Sequence, residues 1–365
     1  MNTGVARMQQ LIFVYPGDLN SPTGGYAYDR RIIAGLKSLG WGIQLIGLGE
    51  GYPFPTPTQA EQAKEQLQGL APGVPMVIDG LALGALPEVA AYISQHHPLI
   101  ALIHHPLAFE FGLSEAQTLL LKQSETAALC HANKVIANSP ATARDLNRHY
   151  GVSMDRIDVV LPGTDCSVHQ RERSPITNSN RGVVRLLSVG SIIPRKGFPD
   201  LLAALAPLAD LPWTLSIAGD TTRNNSAFDQ LISDIARFGF EARVQVLGAV
   251  SDLELISLYT QADAFVLASL FEGYGMVYAE AMAYGLPIIA TRGGAIPDTV
   301  PTEAGLLVRP GDVPALTTAL KAVIEDAPYR ARLSSGALRA AAQQPTWDQA
   351  AQQFAITLEP FTPAQ

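Results

Sequence analysis

Cysteine is nearly absent from this chain: Cys130 and Cys166 are the two in 365 residues. Neither belongs to a C-x-x-C pair, and one bridge does little for a chain of this length. Both are read as reduced thiols of a cytoplasmic protein. Long hydrophobic runs are missing as well. No uncharged apolar stretch reaches the roughly 18 residues that a membrane span requires. The opening MNTGVARMQQ lacks the apolar segment and small-residue cleavage site of a secretory leader. At most a peripheral membrane contact is expected. Blocks of Lys and Arg are absent, and the net charge is -8, which argues against a nucleic acid as partner. An acidic protein still binds a phosphorylated ligand if a few cations and backbone amides are aimed at it.

Several catalytic signatures are also missing. There is no G-x-x-x-x-G-K-[ST] phosphate loop and no G-x-S-x-G nucleophile elbow. There is no H-E-x-x-H and no Cys/His ligand spacing. The string GLGEG at 47–51 lacks the third glycine of a dinucleotide fingerprint and follows the second strand, so an oxidoreductase is disfavoured. His104 and His105 are adjacent and cannot both face one metal from a strand. No metal is expected. The pair His96-His97 ends a polar stretch and is read as solvated.

What the chain does have is 47% hydrophobic residues, enough for two cores over its length. Short apolar runs lie near 10–15, 42–48, 76–81, 99–104, 134–138 and 158–162. Helix-like stretches such as 26–39, 85–95, 114–131 and 140–150 separate them. The second half repeats the pattern, with runs at 184–190, 214–219, 244–248, 264–268, 287–291 and 305–308. Its helices are expected over 198–209, 226–239, 251–261, 277–285, 312–326 and 328–342. Continuous apolar strands alternating with helices predict an α/β fold of two doubly wound, Rossmann-like domains with parallel sheets. The stretch 164–182 is polar and poor in large aliphatics, which is linker composition. The domains are read as 1–165 and 183–345, joined by a linker over 166–182. A last helix over 346–358 follows Pro345. Such domains bind ligands at the carboxyl ends of their strands, in the cleft that two facing domains would make.

Four loops at those ends stand out. The densest is FEGYGMVYAEAMAYGLP at 271–287. Glu272, Gly273, Tyr274 and Gly275 lead into a helix starting near Met276, whose amides and dipole suit a phosphate. Glu280, one turn further, suits a diol. Two carboxylates could also serve a glycosidase, but nothing in the doubly wound pattern favours that. The second loop is SVGSIIPRKG, where Gly190 and Ser191 end a strand and Arg195 and Lys196 can neutralise a diphosphate. The third is Gly24-Gly25, before the first helix. The fourth is His104, directly after LIALI, placed to meet a sugar hydroxyl or a developing charge.

These strings resemble the retaining glycosyltransferases of family 4, of the GT-B fold class, over nearly the whole chain. FEGYGMVYAEAMAYGLPIIAT is similar to that family's E-x7-E element, and PRKG to its phosphate-binding lysine loop. TRGGAIPDTV with GLLVRPGD is similar to its nucleotide-wrapping segment. The resemblance implies transfer of a sugar from a nucleotide-diphosphate sugar to an acceptor hydroxyl, with retention. No D-x-D metal motif appears in the donor loops, so metal independence is expected, with the nucleotide sugar as co-substrate and no cofactor. It implies that Lys196, with Arg195, holds the diphosphate and that Glu280 binds the ribose. Glu272, with the amides around Gly275 and Met276, would orient the sugar and its phosphate. Gly25 would approach that phosphate, and His104 would touch the sugar. It also makes the first domain the acceptor-binding one, with 346–365 crossing back to it. One departure is Ser191, where members commonly carry arginine; Arg195 is the cation offered in its place. That departure keeps a non-catalytic sugar-nucleotide-binding subunit as the alternative, beside an epimerase or an inverting transferase of the same architecture. The acceptor is left as a small molecule, oligosaccharide or lipid. Residues 1–165 carry ten Lys/Arg against fourteen Asp/Glu, which leans away from an anionic membrane surface.

Overall fold

The computed structural model describes residues 9–165 and 182–362. The linker read over 166–182 therefore lies, except for Gly182, outside the described residues, as do Cys166 and His169. Two compact units emerge, one of residues 1–163 with 345–365 and one of residues 164–344.

The first unit holds β1 (Gln10–Tyr15), β2 (Gly42–Gly47), β3 (Met76–Asp79), β4 (Leu99–Ile103), β5 (Lys134–Ala137) and β6 (Ile157–Val159). Its helices are α1 (Gly24–Ser38), α2 (Pro57–Gln68), α3 (Gly80–Leu83), α4 (Pro87–Ile93), α5 (Glu115–His131) and α6 (Pro140–Tyr150). All pairings are parallel, in the order β2-β1-β3-β4-β5-β6. The second unit holds β7 (Val184–Val189), β8 (Trp213–Ala218), β9 (Val244–Gly248), β10 (Ala264–Leu267), β11 (Ile288–Thr291) and β12 (Gly305–Val308). Its helices are α7 (Phe198–Leu205), α8 (Asn225–Arg237), α9 (Asp252–Gln261), α10 (Met276–Ala283), α11 (Ile296–Thr299), α12 (Val313–Glu325) and α13 (Ala327–Ala341). Its parallel order is β12-β11-β10-β7-β8-β9. The closing helix α14 (Trp347–Leu358) belongs to the first unit.

The predicted α/β class is the observed one, and its cause is visible in single strands. Every residue of β3, β4, β10 and β11 is buried, because helices cover both faces of a parallel sheet. Edge strand β2 keeps polar and exposed positions, with Leu45 partly open. Each sheet reverses its winding once, between β1 and β3 in the first and between β7 and β10 in the second. Loops leaving neighbouring strands there part to opposite faces, which opens a crevice at the carboxyl edge.

Most boundaries fall within a few residues of those expected. The run at 76–81 ends early, since Asp79 accepts a hydrogen bond from the Leu81 amide (2.7 Å) and starts α3. Helix α2 is not among the stretches that apolar periodicity reveals. It buries only Ala63 and Leu67, and a capping box of Thr56 and Gln59 marks its start. The reading of His97 as solvated is corrected: it is 4% exposed, with Nδ1 2.9 Å from the Val74 carbonyl oxygen. Burial there follows from the β3–β4 neighbourhood, which local sequence does not display. His96 is exposed.

Helix α14 lies on α1 through small residues. A Cβ added at Gly35 would stand 2.4 Å from Ala351 Cβ. Trp347 meets the Tyr28 ring edge-on at 6.1 Å, and the Arg31 guanidinium lies 5.7 Å from the indole centroid. Gly35→Val should therefore overpack this contact and cost about 1–3 kcal/mol, read as a lower urea midpoint. An unchanged midpoint would mean that α14 is not seated there.

Candidate functional site

The winding reversal of the second unit gathers three loops. After β7 the chain passes Gly190 and the half-buried Ser191 into a 3-10 turn, Pro194–Lys196. Gly197 closes that turn in the left-handed region (φ 66°), where a Cβ would stand 2.0 Å from the Ala268 carbonyl oxygen. The turn is thereby pressed onto the end of β10. The Leu270 amide donates to the Arg195 carbonyl (2.8 Å). The third loop, after β11, is tied in by the Thr291 hydroxyl on the Ser269 carbonyl and by the Ala295 amide on the Glu272 carbonyl (2.8 Å).

The Glu272 side chain occupies the centre. Its Oε1 accepts from Lys196 Nζ (2.7 Å) and from the Ser269 hydroxyl (2.6 Å). Its Oε2 accepts from Arg195 Nη1 (2.8 Å), which also donates to the Phe271 carbonyl (2.6 Å). Burial by itself would raise the Glu272 pKa, but the charges of Lys196 and Arg195 outweigh it and hold the carboxyl down at about 2. Burial lowers the Lys196 pKa, with Glu272 opposing and the cations of Arg195 and Arg223 adding to the fall. The cluster sets two basic side chains, Lys196 and Arg195, against one carboxylate.

Helix α10 begins directly beyond. Gly275 is its N-cap in the left-handed region (φ 85°), and no side chain caps the helix. The first amides, from Met276 onward, are not covered by a polar side chain of the cap, which is the arrangement an anion uses. Gly273 lies on the loop between. The Tyr274 side chain is buried and its hydroxyl donates to Gln344 Oε1 (2.7 Å), not to the Glu272 cluster. Glu280, one turn into α10, accepts from the Tyr259 hydroxyl (2.9 Å); Tyr259 in turn stacks on Tyr284 at 5.1 Å.

The reversal of the first unit carries the other two expected residues. Gly25 lies in the first turn of α1, which Thr23 caps. A Cβ there would approach His104 Cδ2 to 3.2 Å, so glycine lets the turn rest on the imidazole. His104 Nε2 lies 3.1 Å from Asp29 Oδ1 and 3.5 Å from Asp79 Oδ2. Burial disfavours the charged ring, but the two carboxylates prevail and lift His104 up to about 10. Burial in turn raises Asp29 to about 7 against the pull of His104. His105 pairs instead with Glu110 (3.1 Å) near the surface.

Residues 169–339 match the family described as glycosyl transferases group 1, and residues 70–168 match glycosyltransferase family 4. The chain belongs to glycosyltransferase family 4. Among its relatives, an MMP alpha-(1->4)-mannosyltransferase of Mycolicibacterium hassiacum is 27% identical over 333 residues, 85% of this chain and 76% of that protein. A D-inositol 3-phosphate glycosyltransferase of Corynebacterium glutamicum is 30% identical over 234 residues, or 59% of this chain. The chain spans about half of that relative, 56% of its length. The Anabaena protein HepE, solved in complex with UDP and glucose, superposes with a TM-score of 0.75 at 21% identity, covering 96% of this chain and 100% of its own. That likeness establishes the fold.

In this family 4 chain, sequence reasoning did not single out Ser269, Tyr259, Asp29 or Asp79. Some signals were present. Ser269 ends the run AFVLAS, Asp79 ends the fully apolar MVI, and Asp29 lies on the α1 face of Ile32, Ile33 and Leu36. A carboxylate on a buried helix face implies a partner.

Glu272 carries a folded pKa depressed from 4.5 to about 2. Its contribution to stability is present above pH 4.5 and is lost as pH falls toward 2, amounting to about 3 kcal/mol. Glu272→Gln should flatten the acid limb of a stability–pH curve over that window. An unchanged limb would show that the cations do not hold the carboxylate.

Proposed function

We propose that this chain transfers a sugar from a nucleoside-diphosphate sugar to an acceptor hydroxyl with retention of anomeric configuration. The observation carrying this reading is the Glu272–Lys196–Arg195 cluster beside the N-terminus of α10, at the winding reversal of the second sheet. A diphosphate needs fixed positive charge and amide donors in a site of low polarisability. Family membership and the named glycosyltransferase relatives support the same reading.

In this reading the donor diphosphate meets Lys196 and the first amides of α10. Glu272 keeps the ammonium oriented before any ligand arrives, so little reorganisation is left for the reaction. Arg195 acts chiefly through Glu272 and the Phe271 carbonyl, which it already holds. Glu280 takes the ribose hydroxyls, with the Tyr259 hydroxyl fixing its carboxylate. His104 and the Gly25 turn of the first unit meet the sugar and its phosphate. The bond from the anomeric carbon to the phosphate oxygen breaks as the acceptor oxygen bonds to the same face. The acceptor proton passes to the departing phosphate oxygen. No protein nucleophile is used, and the charge that metal supplies in other transferases falls to Lys196, Arg195 and the helix amides. The acidic balance of residues 1–165 favours a soluble small molecule or an oligosaccharide as acceptor over an anionic membrane. Cytoplasmic nucleotide sugars would be the supply.

A screen of UDP-, GDP- and ADP-sugars without added metal tests the reading through binding and slow release of free nucleotide. One donor should bind and turn over slowly. Lys196→Ala should lower kcat/KM by about 100-fold or more, and Arg195→Ala should raise the donor KM more modestly. The anomer formed, followed by NMR, should be the one present in the donor. Failure of every nucleotide sugar to bind would sink the transferase reading; the inverted anomer would sink retention.

A further inference from the structure

The trio Asp29, Asp79 and His104 is more than the contact of one histidine with a sugar requires. Burying a carboxylate costs several kcal/mol unless a partner compensates, and here two are buried, at 0% and 3% exposure, around one imidazole. They arrive from different elements, Asp29 from α1 and Asp79 from the junction of β3 and α3. Both face the Nε2 edge of the ring. Tyr28, the other titratable neighbour on α1, sets its ring edge-on to the imidazole at 5.4 Å, and burial keeps it uncharged.

With Nε2–H engaged, the state of Nδ1 is decided by charge. A neutral ring would leave the two carboxylates at the Nε2 edge without a positive charge to face, whereas an imidazolium balances one of them. Asp29, pushed up to about 7, can take the proton that offsets the other. Nδ1 is buried and makes no hydrogen bond among the described residues, although the side chain as a whole keeps 16% of its surface open. A buried N–H without an acceptor costs about 1–3 kcal/mol, which a bound oxygen would return. The Gly25 turn touches the Cδ2 and Nε2 edge, leaving Nδ1 on the other side of the ring.

We propose that Asp29 and Asp79 are positioning residues that clamp the Nε2 edge of His104, hold the ring cationic, and present Nδ1–H as a charged donor to an oxygen of the sugar donor. The identity of that ligand rests on the transferase reading above. The clamp itself does not.

Histidine-ring NMR of the full chain without ligand tests the clamp, the His104 signal being identified by its loss in His104→Gln. His104 should remain an imidazolium through pH 8 in the wild type. Asn keeps the cap on the Leu81 amide, so Asp79→Asn should fold; it and Asp29→Asn should each move the midpoint down by about 1–3 pH units. A wild-type midpoint near 6.5 would overturn the clamp by itself, even if both variants failed to fold. So would a midpoint that neither variant moves. In donor turnover, Asp79→Asn should show a falling limb with its midpoint between about pH 7 and 9, below that of the wild type, and a donor KM about tenfold higher. Wild-type-like pH dependence in that variant would overturn the presentation of Nδ1–H. Absence of turnover with every nucleotide sugar would refute the transferase reading and with it the named ligand, while the ring titration would still decide the clamp.

Discussion

One buried carboxylate holds the candidate site together. Glu272 ties the turn after β7 to the loop after β10, through Lys196 and Arg195, and its backbone carbonyl is tied by Ala295 to the loop after β11. Removing either sign from such a group leaves buried charge uncompensated, which is far costlier than the net worth of the pair. The cations are therefore positioned by stability, before any ligand is present. Preorganisation of this kind is what a leaving diphosphate needs, because charge that is already aimed need not be reoriented as the bond breaks.

The loops can come that close because of backbone shape. Gly197 adopts a left-handed conformation with its missing Cβ directed at the Ala268 carbonyl. Gly275 adopts another at the start of α10. Any other residue at Gly197 would push the PRKG turn off the end of β10 and part the two cations from Glu272. The electrostatic centre depends on a steric allowance.

The first unit uses the same scheme with the signs exchanged. There two carboxylates face one edge of a single imidazole, again at the winding reversal of a parallel sheet, again with a glycine in contact. In both units opposite charges face one another, on segments that follow the carboxyl ends of neighbouring strands.

Alternating apolar runs and amphipathic stretches were enough to define the α/β class, the twelve strands and most helices, because burial on both faces of a parallel sheet writes itself into each strand. FEGYG and PRKG announced the second-unit site through glycines and charges just past strand ends. Helix α2 escaped because its capping box, not an apolar stripe, defines it. Asp29, Asp79, Ser269 and Tyr259 were legible as residues but not as partners. Their roles arise from pairings across 21 to 75 positions of sequence or from a turn closing on itself. The sequence determined which elements form and which loops carry charge, since those depend on periodicity and local conformation. Only the tertiary structure decided which charge faces which, because strand order, set by the crossovers, brings residues remote in the chain to one sheet edge.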